Sequence, residues 1–216
     1  MRLHDLIDKH QGETVWITGT GPSLDRVSAH EITGPRIHLN RTAFAFPWSI
    51  GQTYWLVIDD CWANGTPGPW VETLDDVYYG RGPIGVFRDP LLTGPGPVPS
   101  KRGPNIAHWT SAHKPRRSLL YMGRQELGER GMLYARAGTA APAVHLAWLM
   151  GAERVVLAGV DGTDGYSKHV IRWYESPRRG GFGYGVARED ALEYAAVLGM
   201  EIEDRSTAKD NQHAHV

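Results

Sequence analysis

The chain has 216 residues, 41% of them hydrophobic and eight of them tryptophan, which suits one domain with a real apolar core. Lys and Arg number 23 against 24 Asp and Glu, a formal net charge of -1, so no global positive field argues for a nucleic-acid partner. A single cysteine, Cys61, excludes an intrachain disulfide framework and a cysteine-rich zinc site.

The N-terminus, MRLHDLIDKHQGE, is charged throughout and lacks the apolar stretch of a signal peptide. No apolar run approaches the roughly 18 residues that cross a bilayer. The expected protein has no membrane span and a cytoplasmic location. Residues 3–10 predict a short amphipathic helix with Leu3, Leu6 and Ile7 on one face. A first strand is expected over 14–18. It enters a turn formed by Gly19, Thr20, Gly21, Pro22 and Ser23. A buried strand that ends in a glycine turn at a helix start can hold a phosphate, because backbone N–H groups and the helix dipole both favour an anion. A plain tight turn is the alternative. The stretch is not a Walker loop, since no Gly-Lys-Ser/Thr follows, and Leu24 breaks the full GxGxxG fingerprint.

A helix is expected over 23–31, capped by Ser23 with Asp25 in its first turn. Gly34-Pro35 ends that unit. A second strand, 36–39, leads to Asn40, and 41–50 reads as a short helix interrupted at Pro47. A third strand, 54–58, ends in Asp59-Asp60. Three strands thus end in polar or glycine residues, and in an open parallel sheet the carboxyl ends of the strands form the ligand crevice. From 65 to 117 the chain is dense in Gly and Pro, with 84–87 as one possible strand. This stretch reads as an irregular insertion or lid, or as a disordered surface segment. Its basic clusters, Lys101-Arg102 and Lys114 to Arg117, are solvated surface or contacts for an anionic acceptor.

A short strand is expected over 132–136. Gly138-Thr139 then open a helix that is apolar on nearly every face and so buried, with Thr139 as N-cap and Pro142 in the first turn. On it, His145 reads as a core histidine. Gly151 ends the helix. The strand 154–158 runs into Gly159-Val160-Asp161, where the carboxylate suits ribose hydroxyls or caps the next turn. Residues 162–185 predict a mobile loop that closes over ligand, carrying Lys168, His169, Arg172, Tyr174, Arg178, Arg179 and Tyr184. A last helix over 187–198 ends at Gly199. Strand 200–203 closes an α/β, Rossmann-like, mainly parallel sheet flanked by helices, and 206–216 reads as a polar tail.

GTGPSL near the N-terminus, Asn40 after the second strand, and RAGTAAPAVHLAWLMGAERVVLAGVD together resemble the bacterial sialyltransferases that act on lipooligosaccharides. In that family the corresponding motifs read close to NGPSL and SG…LGxxxIxLxGxD. The pattern is also similar to the archaeal 6-hydroxymethylpterin diphosphokinase-like family, which shares GxGPSL and an acid after the third strand. The sialyltransferase resemblance implies that Thr20 stands near the nucleotide phosphate. It further implies that Asn40 and Thr139 contact the donor, and that Gly159 and Asp161 lie beneath the nucleoside. That family places a histidine base just before its last helix, where this chain has Tyr184. The pterin-like resemblance implies that Asp59, with Asp60, ligates a nucleotide-bound Mg²⁺.

Together these features point to a nucleotide-dependent transferase. The favoured form is a glycosyltransferase that moves a sugar from a CMP-, UDP- or GDP-linked donor to a glycan or other hydroxyl acceptor. His169 is the first candidate for the base, because an unperturbed histidine titrates near neutrality; Asp60, Asp164 and Tyr184 are the alternatives. Two other readings stand beside it: an ATP-dependent diphosphokinase acting on a pterin-like alcohol, and a non-catalytic nucleotide- or nucleic-acid-binding module. A nucleic-acid acceptor would combine the first and last of these. Oligomeric state is left open.

Overall fold

Apolar and β-branched runs form the strands β1 (Thr14–Thr18), β2 (Arg36–Leu39), β3 (Thr53–Val57), β4 (Ile84–Arg88), β5 (Ile106–Ala112), β6 (Met132–Tyr134), β7 (Arg154–Ala158) and β8 (Glu201–Asp204). The computed structural model describes residues 1–46, 49, 52–58, 76–77, 79–88, 105–112, 122–135, 138–162, 165–173 and 184–206. The strands form one sheet in the order β6-β5-β4-β3-β2-β1-β7-β8. Every neighbouring pair is parallel. This is the α/β, Rossmann-like class that the sequence predicts.

Alternate strand residues face opposite sides. Val15, Ile17, Tyr54, Leu56, Val155 and Leu157 enter a core with the helices α1 (Arg124–Glu129), α2 (Ala140–Leu149) and α3 (Tyr184–Val197). The other face carries Trp16, Trp55, Phe87 and Val156 in two smaller clusters, covered by the 3-10 turns Pro22–Arg26 and Asn40–Phe44 and their flanking chain. Central strands apolar on both sides are what a parallel sheet buried on two faces requires. Nine of the ten residues of α2 are buried, which explains its lack of a polar stripe. Gly151 and Gly199 end α2 and α3 with φ of 83° and 69°. In both cases the following N–H groups return to the last turn, at Ala152 to Ala147 and at Met200 to Ala195.

Several expectations change. The predicted helix over 23–31 is only the 3-10 turn Pro22–Arg26. Val27 is extended, and Leu24, Val27 and Ile32 pack into one cluster with Trp16 and Val156 from a chain that leaves the helical path after Arg26. The helix over 3–10 is reduced to Leu3–Leu6, because the chain then turns so that the Asp8 and His10 N–H groups donate to the end of α2. The helix predicted for 41–50 is Asn40–Phe44, and Pro47 lies outside the described residues. Within the supposed insertion, β4 and β5 are integral strands of the sheet. Ala107 and Trp109 of β5 are buried in the main core, a strand signal masked in sequence by the surrounding Gly and Pro. Short α1 has no counterpart among the predicted elements. Ser206, assigned to the tail, is buried, and its Oγ accepts from Val160 N at 2.9 Å. No helix among the described residues is long and apolar enough to cross a membrane.

Candidate functional site

The strand order reverses between β1 and β7. From β1 the chain steps outward through β2 to β6, then returns to the other side of β1 for β7 and β8. At such a switch point the loops leaving two adjacent strands diverge and open a crevice at the carboxyl ends. The loops here are the glycine turn after β1 and Gly159–Asp161 after β7.

These two loops interlock. Gly19 N donates to Ala158 O at 2.7 Å and Gly21 N to Gly159 O at 2.8 Å. Gly159 N donates to Ser23 Oγ at 2.9 Å, and Ser23 N donates to Asp161 Oδ2 at 3.0 Å. The backbones touch: a Cβ on Gly19 would lie 2.3 Å from the Gly159 carbonyl oxygen, and one on Gly159 would lie 2.3 Å from that of Gly19. A Cβ on Gly21 would lie 2.0 Å from Asp161 Oδ2. The N–H groups of Gly19, Gly21 and Ser23, which the sequence assigned to a phosphate, are therefore directed at the protein's own acceptors. An internal carboxylate sits where an anion was expected, at the start of the Pro22–Arg26 turn. Ser23 is not the N-cap; that position belongs to Gly21, and Ser23 bridges to β7 instead. Thr20 stands half-buried at the crest, with its carbonyl accepting from Ser167 N at 2.9 Å.

At the end of β2, Asn40 adopts a left-handed backbone, φ 52°. Its carbonyl accepts from Trp55 Nε1 at 2.7 Å and its Nδ2 donates to Thr139 Oγ1 at 3.3 Å. Its Oδ1 is buried without a hydrogen-bond partner among the described residues. This contact joins the end of β2 to the start of α2. Thr139 precedes α2 as expected but makes no side-chain capping bond; its hydroxyl meets Asn40 instead. The first-turn N–H groups of Ala140 and Ala141 lie outside the helical ladder, as at any helix start. Gly138, φ 65°, lets the chain pass against Ala187 of α3, 2.9 Å from where a Cβ would stand.

His38 lies under this end of the sheet, fully buried, with Nδ1 2.6 Å from Thr18 Oγ1 on β1. Burial, with the Arg36 charge adding to it, pushes its pKa down to about 3, so the ring is neutral at physiological pH. Phe46 stacks on it at 5.8 Å, and His169 packs on Phe46 at 5.6 Å. His38, Thr18, Phe46 and Asp25 shape this region, and none of them stood among the predicted site residues. A histidine inside an otherwise apolar strand, RIHL, was the available signal for the first.

His169 belongs to a loop segment that the sequence read as mobile. Its described part is tied down: Ser167 is fully buried, its Oγ donates to Asp25 Oδ1 at 2.5 Å, and Lys168 N donates to the same oxygen at 2.9 Å. Lys168 and Arg172 are exposed. Tyr184 is the first residue of α3. The predicted acids Asp59, Asp60 and Asp164, with Tyr174, Arg178 and Arg179, lie outside the described residues. Among the described residues no cluster of His, Cys, Asp and Glu is able to hold a metal. His145 is a core residue as predicted, fully buried, with Nδ1 accepting from Tyr134 N at 2.7 Å and burial pushing its pKa down to about 3.

Comparison with known proteins finds no matching family model and no matching curated protein. Among solved structures the chain is similar to the sialyltransferase CST-II in complex with a trisaccharide acceptor and CMP. The TM-score is 0.47 at 12% identity, over 90% of this chain and 81% of that one. It is also similar to CstII from Campylobacter jejuni in complex with CMP-3FNeuAc, with a TM-score of 0.46 at 13% identity over 90% and 80% of the two chains. At these TM-scores the likeness carries no residue's role over to this chain.

Proposed function

We propose that the protein is a nucleotide-dependent transferase, specifically a glycosyltransferase using a CMP-, UDP- or GDP-linked sugar. The observation that carries this reading is the buried Asn40 Oδ1, unpartnered among the described residues, beside Thr139 at the start of α2 and next to the β1–β7 switch point. A buried acceptor without a partner costs about 1–3 kcal/mol, a cost that a bound donor group would remove. The first turn of α2 supplies N–H groups and a positive dipole end for the donor phosphate. Because the N–H groups of Gly19, Gly21 and Ser23 are engaged, the phosphate belongs on α2, with Gly138, Thr139, Thr20 and Asn40 around it. Gly19, Gly21, Pro22, Ser23 and Gly159 shape the floor. Asp161 uses Oδ2 on Ser23 and offers Oδ1 to a ribose hydroxyl.

In the reaction the acceptor oxygen bonds to the anomeric carbon, the bond from that carbon to the donor's phosphate oxygen breaks, and the nucleotide leaves with the electron pair. His169 takes the acceptor's proton. Negative charge grows on the leaving phosphate, where donors already in place lower the barrier. Lys168 and Arg172 supply countercharge from the loop. Asp59 and Asp60 are the residues that would hold Mg²⁺, which would screen the leaving group when bound.

A thermal-shift panel of nucleotides and nucleotide sugars, each with and without Mg²⁺, tests the reading. A ligand at 100 times its Kd adds about 2.7 kcal/mol. CMP-, UDP- or GDP-sugars that stabilise the protein support a glycosyltransferase and name its donor. Stabilisation by ATP alone, dependent on Mg²⁺, selects the diphosphokinase. No shift with any of them removes the nucleotide site.

A further inference from the structure

The turn that follows β1 is linked to the loop that carries His169 by one carboxylate. Asp25 sits half-buried in Pro22–Arg26, on a rigid turn packed against the sheet. Its Oδ1 receives both Ser167 Oγ, at 2.5 Å, and Lys168 N, at 2.9 Å; Oδ2 also lies 3.2 Å from Lys168 N. Ser167 Oγ in turn accepts from His169 N at 3.1 Å, and Ser167 N donates to Thr20 O. Val170 N and Ile171 N close the bend on Ser167 O at 3.0 and 2.9 Å, and Val170 is fully buried. A relay thus runs from Asp25 through Ser167 to the backbone of His169. It ends with the imidazole against Phe46, which stacks on His38 at the end of β2. Hydrogen bonds to an ionised carboxylate are about twice as strong as neutral ones, so two donors, Ser167 Oγ and Lys168 N, converging on one carboxylate form a firm anchor.

We propose that Asp25 is a positioning residue that holds the 165–173 loop in place before any ligand arrives, so that His169 stands preset at the mouth of the crevice. This deepens the proposed function, on which its catalytic meaning rests. The chemistry predicts which substitutions matter. Asp25→Asn keeps a carbonyl oxygen able to accept from both Ser167 Oγ and Lys168 N, whereas Asp25→Ala removes every acceptor.

The test uses the full-length, ligand-free protein with amide hydrogen exchange and, in parallel, diethyl pyrocarbonate modification mapped by peptide mass spectrometry. In the wild type the Lys168 and His169 amides are expected to exchange at least tenfold more slowly than free peptide. Asp25→Ala should abolish that protection and raise the modification rate at His169 several-fold. The rates at exposed His30 and the exchange of β1 and β7 amides should stay unchanged. Asp25→Asn, which keeps an acceptor but replaces charge-assisted bonds with neutral ones, should fall between the Ala variant and wild type in both readouts. A merely structural role would move the core amides together with the loop and would not single out His169. Unprotected Lys168 and His169 amides in the wild type, or an Asn variant as loose as the Ala variant, overturn the proposal. CMP, UDP and GDP binding is measured on the same three proteins. If none binds, the nucleotide reading fails while the exchange data still decide the anchor. If one binds, Asp25→Ala should weaken it about tenfold and Asp25→Asn should weaken it less.

Discussion

Replacing Gly21 by Ala tests whether the glycine turn is built around its own carboxylate. The backbone of Gly21, φ -76° and ψ 164°, is one that alanine adopts freely, so no conformational strain enters. What the new methyl meets is Asp161: Oδ2 at 2.0 Å and Cγ at 2.8 Å, with Gly159 O next at 2.9 Å. The carboxylate must leave, and the bond from Ser23 N goes with it. Losing a hydrogen bond to a charged group costs about 1.5–3 kcal/mol, so Gly21→Ala should lower stability by about 2–3 kcal/mol. Asp161→Ala loses the same bond and should cost about 2 kcal/mol. In the double variant the methyl enters vacated space and only the 2.9 Å contact remains. The combined loss should then be close to that of either single change, a coupling of at least 1 kcal/mol by the standard cycle. Gly19→Ala is the control, because its clash is with the Gly159 carbonyl at 2.3 Å, which Asp161→Ala cannot relieve. Urea unfolding followed by tryptophan fluorescence gives all the values. In thermal melts each kcal/mol is worth about 2–4 °C for a chain of this size. Additive losses for Gly21→Ala and Asp161→Ala would refute the interlock, as would non-additive losses for the Gly19 control.

Ser23→Ala should cost about 1–3 kcal/mol in the same assay, because it strands the buried Gly159 N–H that donates to Ser23 Oγ. Asn40→Gly keeps the left-handed backbone and should change stability by less than about 1 kcal/mol, yet lower nucleotide affinity about tenfold by calorimetry; unchanged affinity would remove Asn40 from the site. His38 and His145 are both pushed down to about 3. Between that value and about 6.5 the unfolded chain binds more protons than the folded one, so stability falls as pH drops through this window, by up to about 1.4 kcal/mol per pH unit for each histidine. His38→Gln or His145→Gln should each flatten that slope in urea midpoints measured from pH 7.5 to 4.5, and an unaltered slope would contradict the neutral, buried state.

The sheet was legible wherever burial on both faces made the strand apolar throughout. Strands β1, β2, β3 and β7 stand within a residue of where their sequences place them, and α2 declares its burial by having no polar side. β5 was hidden because its one strong mark, Ile106 to Trp109, is framed by glycine and proline, which in sequence argue for loop. The 23–31 segment misled for the opposite reason. Ser23 and Asp25 are residues that start helices, but both side chains are drawn off by partners far along the chain, Ser23 by Gly159 and Asp25 by Ser167. Local signals report propensity and say nothing of a partner some 140 residues away. For the site, the sequence singles out the ends of the strands. The division of labour among them rests on pairings, Asn40 with Thr139 and His38 with Thr18, that only the fold brings together.

The same pairings bear on where the proposed site would take an anion. A phosphate approaching the Pro22–Arg26 turn would meet the Asp161 carboxylate already in place on Ser23 N. Two like charges about 4 Å apart repel by about 4 kcal/mol at an effective dielectric constant of 20, more than a single helix start returns. The first turn of α2 carries no internal carboxylate of this kind among the described residues, and the polar groups nearest it, Thr139 Oγ1 and Asn40 Nδ2, are neutral. With the β1 turn closed by Asp161 and the β7 turn closed by Ser23, the crevice opens toward β2 and α2. Asn40 Oδ1 is buried in that direction and unpaired among the described residues, as are Thr42 Oγ1 and His38 Nε2 beside it, and His169 stands across Phe46 from the same strand end. In the proposed site the glycine turn is therefore the fixed wall, and the groups proposed to face the ligand are those of the neighbouring strand end and helix.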